Sequence, residues 1–238
     1  MLYNILAIGD VVGGCGVSCL ERHLRAVKKL KNIHFTVVNG ENAAMVGLTP
    51  NDAERIFSAG ADVITLGNHT FGKMQITDYL DDCPYILRPH NLGARVPGRG
   101  YGVFDCGRAR IAVMNLIGRC DLAFHADNPF KTADELLKSG EKPTFTLLDF
   151  HAEATSEKLA MAYYLDGRVS AIWGTHTHVP TADEEVFPKG TGYLTDLGMT
   201  GAVRSVLGIK PEQSVETFLG GLPGRYREPE KSAGKMQG

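Results

Sequence analysis

Val169-Ser170-Ala171-Ile172-Trp173-Gly174-Thr175-His176-Thr177-His178 joins a short, mostly apolar run to two histidines separated by one residue. The run has the length of a buried strand. In extended backbone, side chains alternate faces, so His176 and His178 are expected to point the same way and can converge on one metal centre. Neutral imidazole suits zinc, copper, iron and nickel, so the pair alone names no metal. An H-x-H also occurs on polar surface loops, and the rest of the chain has to decide its meaning.

The same grammar recurs four times upstream. Residues 2–8 form an apolar run that stops at Gly9-Asp10, and residues 35–38 stop at Asn39-Gly40-Glu41-Asn42. Residues 63–66 lead into Gly67-Asn68-His69-Thr70, and residues 145–150 lead into His151-Ala152-Glu153-Ala154-Thr155. Helices are expected between them. Residues 17–31 carry Leu20, Leu24, Val27 and Leu30 on one stripe, Thr49-Pro50 has the form of an N-cap and first helical residue, and residues 156–165 form a third helix. Strands separated by helices predict parallel pairing with right-handed crossovers, which brings all five strand ends to one edge. Ligands collect beyond the carboxyl ends of such strands.

The middle is less regular. A strand is expected over 85–87, a hairpin over 103–106 and 109–116 around Gly107-Arg108, and a polar helix-containing excursion over 121–140. A last strand over 191–194 precedes Asp196-Leu197-Gly198-Met199. The glycines at 9, 13, 14 and 16 do not have the G-x-G-x-x-G spacing of a dinucleotide site. One domain over 1–227 is expected, followed by a flexible tail over 228–238 that is rich in charge, proline and glycine.

With 238 residues, 43% of them hydrophobic, the chain can bury a full core. A net charge of −2 and the lack of a Lys/Arg run argue against a stable nucleic-acid or anionic-membrane partner. No apolar stretch is long enough to cross a bilayer. Five cysteines without a C-x-x-C pair, and an N-terminus without a basic leader region, lead us to expect a reduced cytoplasmic protein.

Asp10, Glu41, Asn42, Asn68, His69, His151, His176 and His178 supply more donors than one four-coordinate site needs. They suit two metals sharing a carboxylate. Such pairs sit about 3.5–4 Å apart and clamp the attacking and leaving oxygens of a phosphoryl displacement.

The order Gly9-Asp10, Gly40-Glu41-Asn42, Gly67-Asn68-His69, His151 and Gly174-Thr175-His176-Thr177-His178 resembles the calcineurin-like metallophosphoesterases, and within them the YmdB-type bacterial phosphodiesterases. The resemblance runs from Asp10 to about Pro223. The most specific pieces are the stretches 39–44 and 151–158 and the final H-x-H. Common metallophosphoesterases open with D-x-H and bridge their metals with aspartate. Here Val12 replaces that histidine and Glu41 stands at the bridge, the YmdB-type variation. The resemblance implies an α/β fold, a β-sandwich with flanking helices in αββα layers, assembled as a homo-dimer or larger homo-oligomer. It implies two divalent ions, iron or manganese, with Asp10, Glu41, Asn42 and His178 on one and Glu41, Asn68, His151 and His176 on the other. The implied activity is hydrolysis of phosphodiesters, notably 2′,3′-cyclic nucleotides. One departure is Phe71-Gly72, where the family usually carries Trp-Asp.

In such a site the expected nucleophile is a metal-bridging hydroxide. His69, beside a proposed ligand but not needed as one, suits the general acid. Glu153 and Asp196 are candidates to orient ligand histidines. Arg88, Arg119 and Arg204 are candidates for substrate phosphate, and His90 for the pocket wall. Two rival readings are a phosphomonoesterase on the same metals and a metal-containing signalling protein with weak catalysis. A third, an amidohydrolase, places its H-x-H at the first strand rather than late in the chain.

Overall fold

The structure, a computed structural model, describes residues 2–122, 125–138, 142–222, 224–230 and 232–238. Its first half runs β1 (Ile5–Ile8), β2 (Asp10–Val11), α1 (Gly13–Leu30), β3 (Phe35–Asn39), α2 (Pro50–Ala59), β4 (Val63–Thr65), α3 (Ile76–Asp82) and β5 (Ile86–Leu87). Strands β1, β3, β4 and β5 form an all-parallel sheet in that order. The second half adds β6 (Tyr101–Asp105), β7 (Arg110–Ile117), α4 (Pro129–Leu137), β8 (Phe145–His151), α5 (Thr155–Leu165), β9 (Ala171–Thr175), β10 (Glu185–Val186) and β11 (Gly192–Leu194). These strands make a mixed sheet ordered β10-β11-β9-β8-β7-β6, with β6 and β7 as the expected antiparallel hairpin. Last come β12 (Met199–Ala202), α6 (Pro211–Phe218) and β13 (Gly234–Lys235). They close a small sheet, β13-β12-β2, that sets Met199 opposite Asp10.

Alternation along the strands explains the layers. Phe35, Val37, Val63 and Leu87 of the first sheet meet Ile111, Val113, Leu147 and Trp173 of the second in one buried cluster. Their neighbours Val38, Ile64 and Ile86 face the other way, onto Leu20 and Leu24 of α1 and Ile56 of α2. Leu148, Phe150 and Ile172 likewise turn outward onto Met161, Ala162 and Leu165 of α5. The result is the expected αββα sandwich. Each fully buried side chain of this kind contributes roughly 1.5–3 kcal/mol relative to exposure.

Thr49 caps α2 as its sequence implies, its side chain accepting from the Asp52 amide at 3.1 Å. Helix α1 starts at Gly13, four residues before the apolar stripe indicated, and Val12 offers no side-chain cap. The cap comes from far away: the Glu228 carboxylate accepts from the amides of Gly14 at 3.3 Å and Cys15 at 3.0 Å.

The segment after residue 227 therefore differs from the expected loose tail. Its β13 pairs with β12, and the Gly9 amide donates to the Gln237 carbonyl at 3.0 Å. Met236 packs on the α1-side core. Composition marked this segment as poor in apolar groups, and it is held mainly by backbone and capping hydrogen bonds, which composition does not register.

Candidate metal centre

Sheet register assembles the site. Ile117 pairs with His151 and His151 pairs with Thr175, so the ends of β7, β8 and β9 are level. In the other sheet Asn39 pairs with Thr65, which levels the loops carrying Glu41 and Asn68. The two sheets thus bring their carboxyl ends to one edge, where an open pocket of about 380 Å³ is lined by Glu41, Asn42, His69, Glu153, His176 and His178.

At its floor, ligand atoms of Glu41, His151 and His176 all lie within 4.8 Å of one another. His151 Nε2 is 2.8 Å from Asn68 Oδ1, 3.1 Å from His176 Nδ1 and 3.4 Å from Glu41 Oε1. His178 Nε2 is 3.8 Å from Asp10 Oδ1 and 3.2 Å from Asn42 Nδ2. Asp10 is completely buried; its Oδ2 accepts from the His176 amide at 3.0 Å, and its Oδ1 has no hydrogen-bond partner among the described residues. Glu41 Oε1 faces His151 Nε2 directly and is linked to His178 through Asn42 Nδ2.

The electrostatics fit cations. Burial raises the Asp10 carboxyl well above its ordinary range, and the charge of Glu41 raises it further. Burial also opposes ionisation of Glu41, but the imidazoles of His151 and His69 reverse the sign and hold it below its usual value. Burial pushes His151 down to about 3 and lowers His176 and His178 as well, so the imidazoles stand neutral, the form that ligates metals. Two buried carboxylates, an orphaned oxygen and converging neutral imidazoles make a donor set suited to divalent cations.

The histidine pair converges for a reason other than the one its sequence suggests. Strand β9 ends at Thr175, and His176 and His178 adopt φ of 107° and 64°. Strand alternation does not apply to left-handed backbone, so the loop itself aims the rings. Six non-glycine residues have positive φ among the described residues, and four of them, His176, His178, Met45 and Leu207, line the pocket. Strain of this kind persists only where surrounding contacts over-determine it. Here the anchor is Asp196, whose Oδ2 accepts from the Thr177 amide at 3.2 Å and from Lys158 Nζ at 2.8 Å. Asp196 thus holds the loop backbone rather than a ring. Glu153 does meet a ring: its Oε2 is 3.0 Å from His176 Nε2.

Asn42 needs a qualification as a ligand. As placed, its Oδ1 faces His69 Nδ1 at 2.8 Å and its Nδ2 donates to Glu41 Oε1 at 2.9 Å, so ligation through oxygen toward His178 requires the amide to turn. His69 lines the pocket with its side chain 38% exposed, and its amide donates to Glu41 Oε2 at 3.1 Å. The hydrogen bond to Glu41 raises its imidazole above the ordinary value.

Other candidates fall away from the centre. The Arg88 guanidinium is spent on the carbonyls of Pro89, His90, Gly93, Val96 and Pro97. Arg119, Arg204 and His90 do not line the pocket. A Cβ at Gly72 would stand 3.0 Å from Val46 Cγ1, so an acidic side chain there requires Val46 to shift. Sequence reasoning passed over the apolar wall of Val12, Met45, Val46, Leu207, Ile209 and Tyr226. It also passed over Asp149, a fully buried carboxylate beneath His151 that burial pushes up to about 6. An aspartate within the apolar run Leu147-Leu148-Asp149-Phe150 was the available signal.

Comparison with known proteins gives the chain its family. The family model of YmdB-like proteins matches residues 6–238. The chain is 46% identical over 225 residues to the 2′,3′-cyclic-nucleotide 2′-phosphodiesterase of Bacillus subtilis, covering 94% of this chain and 85% of that protein. Among solved structures, a novel phosphatase from Mycoplasma pneumoniae superposes with a TM-score of 0.88 at 36% identity, covering 97% of this chain and 85% of the other. The NAD nucleotidase of Haemophilus influenzae, at 15% identity and a TM-score of 0.52, covers 77% of this chain and 44% of its own, and shares the fold alone.

Proposed function

The chain belongs to the YmdB-like family, and from that premise we propose that it is a dinuclear-metal phosphodiesterase acting on 2′,3′-cyclic nucleotides. The observation that carries the reading is buried Glu41, whose Oε1 lies 3.4 Å from His151 Nε2 and accepts from Asn42 Nδ2, which is itself 3.2 Å from His178 Nε2. Asp10, Glu41, Asn42 and His178 would hold one ion, and Glu41, Asn68, His151 and His176 the other. Bound there, a divalent pair supplies an activated water near neutral pH and neutralises charge on the phosphoryl oxygens. Iron or manganese is the pair we propose.

The protein's own groups do the rest. Nδ1 of His69 stands 3.5 Å from Glu41 Oε1, and Nε2 is the nitrogen that gives its proton to the departing ribose oxygen. Hydrogen bonding to Glu41 raises the imidazole above its ordinary value, which favours the protonated form. The apolar wall, with Tyr226 at its rim, takes the nucleoside. His69→Ala is expected to lower turnover of a cyclic nucleotide by about 10²–10⁴-fold. Turnover of a nitrophenyl diester, whose leaving group needs no proton, falls far less; equal losses contradict the assignment.

The phosphatase in the Mycoplasma protein's name raises a monoester reading. No lysine or arginine is among the described residues lining this pocket, and that favours a monoanionic diester over a dianionic monoester. Initial rates on adenosine 2′,3′-cyclic phosphate, adenosine 3′,5′-cyclic phosphate and adenosine monophosphate, with manganese and with chelator, separate these. Chelator-sensitive cleavage led by the 2′,3′-cyclic diester is expected. Faster monoester cleavage favours the phosphatase, and no turnover from a metal-loaded sample favours a binding role.

For the assembly we carry forward a homo-dimer or larger. The exposed apolar side chains Val215, Phe218, Leu219 and Leu222 support it, because a monomer seldom leaves such a run bare. No helix among the described residues is long and apolar enough to cross a membrane. A cytoplasmic location is part of the same proposal.

A further inference from the structure

Asp149 sits below the metal centre, completely buried, and touches both sheets. Its Oδ2 accepts from Thr65 Oγ1 of β4 at 2.5 Å and from Asn39 Nδ2 of β3 at 3.3 Å. Its Oδ1 accepts from Thr175 Oγ1 of β9 at 2.7 Å. Each of these partners leads on to the site. Asn39 Oδ1 accepts from the Glu41 amide at 3.2 Å, and Thr175 Oγ1 lies 2.9 Å from His151 Nδ1.

Proton bookkeeping gives this chain a direction. An ionised carboxylate only accepts, so the single hydroxyl hydrogen of Thr175 goes to Asp149. Thr175 Oγ1 must then accept from its other neighbours, and His151 Nδ1 must be the nitrogen that carries hydrogen. Nε2 is left bare, facing Asn68 Oδ1 and Glu41 Oε1. Bare Nε2 can accept from His176 Nδ1 at 3.1 Å or bind a cation, and the two oxygens beside it, which also accept, favour the cation. Carboxylates commonly orient metal-binding histidines directly; here a threonine hydroxyl stands between.

We propose that Asp149 is a positioning residue of the metal centre: through Thr175 it fixes the His151 tautomer, and through Asn39 and Thr65 it pins the Glu41 side of the site to the histidine side. The proposal rests on the metal-centre reading above. It adds the buried junction that sets how the two halves meet, so that metal affinity depends on a group that touches neither metal nor substrate.

The test uses the full-length chain and manganese, with Thr175→Val, Thr175→Ser and Asp149→Asn. Thr175→Val keeps the shape and deletes the hydroxyl, which makes it the informative variant if Asp149→Asn does not fold. Long-range ¹H–¹⁵N spectra of the metal-free protein report which His151 nitrogen carries hydrogen. The wild type and Thr175→Ser are expected to show Nδ1–H with bare Nε2, and Thr175→Val a mixture. Manganese titration is expected to show affinity about tenfold weaker or more in Thr175→Val and Asp149→Asn, restored in Thr175→Ser. An Nε2–H tautomer in the wild type overturns the proposal, and so does a Thr175→Val chain with unchanged tautomer and affinity. A wild-type chain that binds no manganese overturns the metal-centre reading instead, and the tautomer, read without metal, still decides the relay.

Discussion

His151 and the pair His176/His178 reach the same centre from neighbouring strands by opposite means. His151 is the last residue of β8, laddered to β7 on one side and β9 on the other, and is wholly buried. Its position follows from regular sheet geometry. The pair lies beyond β9 on left-handed backbone and is held by what reaches it from elsewhere: Asp10 on the His176 amide, Asp196 on the Thr177 amide, and Lys158 behind Asp196. A ladder fixes a ligand at no local conformational cost. A strained loop aims two rings at once but depends on every anchor.

That contrast orders the expected effects of perturbation. The largest comes from the laddered ligand. His151→Ala removes a group shared by no other donor, and the metal on its side is expected to be lost together with all measurable hydrolysis, with no change in the far-ultraviolet circular dichroism. Retention of both metals would place His151 outside the centre.

Next is the loop's anchor. Lys158 and Asp196 are each 1% exposed in their side chains, so Lys158→Met strands a buried carboxylate and is expected to cost about 3–5 kcal/mol of stability. Denaturant titration reads the loss. If the loop depends on this pair as described, amide exchange at Thr177 rises in the variant while that at Leu148 does not.

Metal removal sharpens the comparison without a mutation. Ligand linkage predicts that stripping a metal present at a hundredfold its dissociation constant lowers stability by about 2.7 kcal/mol. Exchange is expected to rise over the strained residues 176–178 and to stay slow within β8. A uniform rise across both segments would remove the distinction drawn between them. The smallest effect belongs to Glu153, whose side chain is 47% exposed where it meets His176. Glu153→Gln is expected to weaken metal binding by less than about fivefold, corresponding to under ~1 kcal/mol for a solvent-screened pair.

The same contrast explains what the sequence made legible. Strand-borne chemistry could be read directly, because an apolar run that stops at Gly-Asp, Gly-Glu-Asn, Gly-Asn-His or a lone histidine announces both the strand and the polar group at its end. The order of runs and helices announced the layers. His176 and His178 do line one pocket, but for a different reason from strand alternation, since positive φ at histidine has no local sequence mark of the kind that glycine provides. Long-range partners were the least visible. Glu228 caps a helix that begins more than two hundred residues earlier, and Lys158 and Asp196 meet across 38 positions. Asp149 was visible as a charge in an apolar strand, but its three partners on β3, β4 and β9 could be named only once the two sheets were seen face to face.

The most direct test of the account is the number of metals bound by the wild type and by Glu41→Gln, measured by elemental analysis after manganese loading and desalting. If Glu41 joins the two halves, the wild type holds two ions per chain and Glu41→Gln loses affinity for both. A wild-type chain holding a single ion, or a Glu41→Gln chain that keeps one at full affinity, would contradict a shared carboxylate at the meeting point of the sheets.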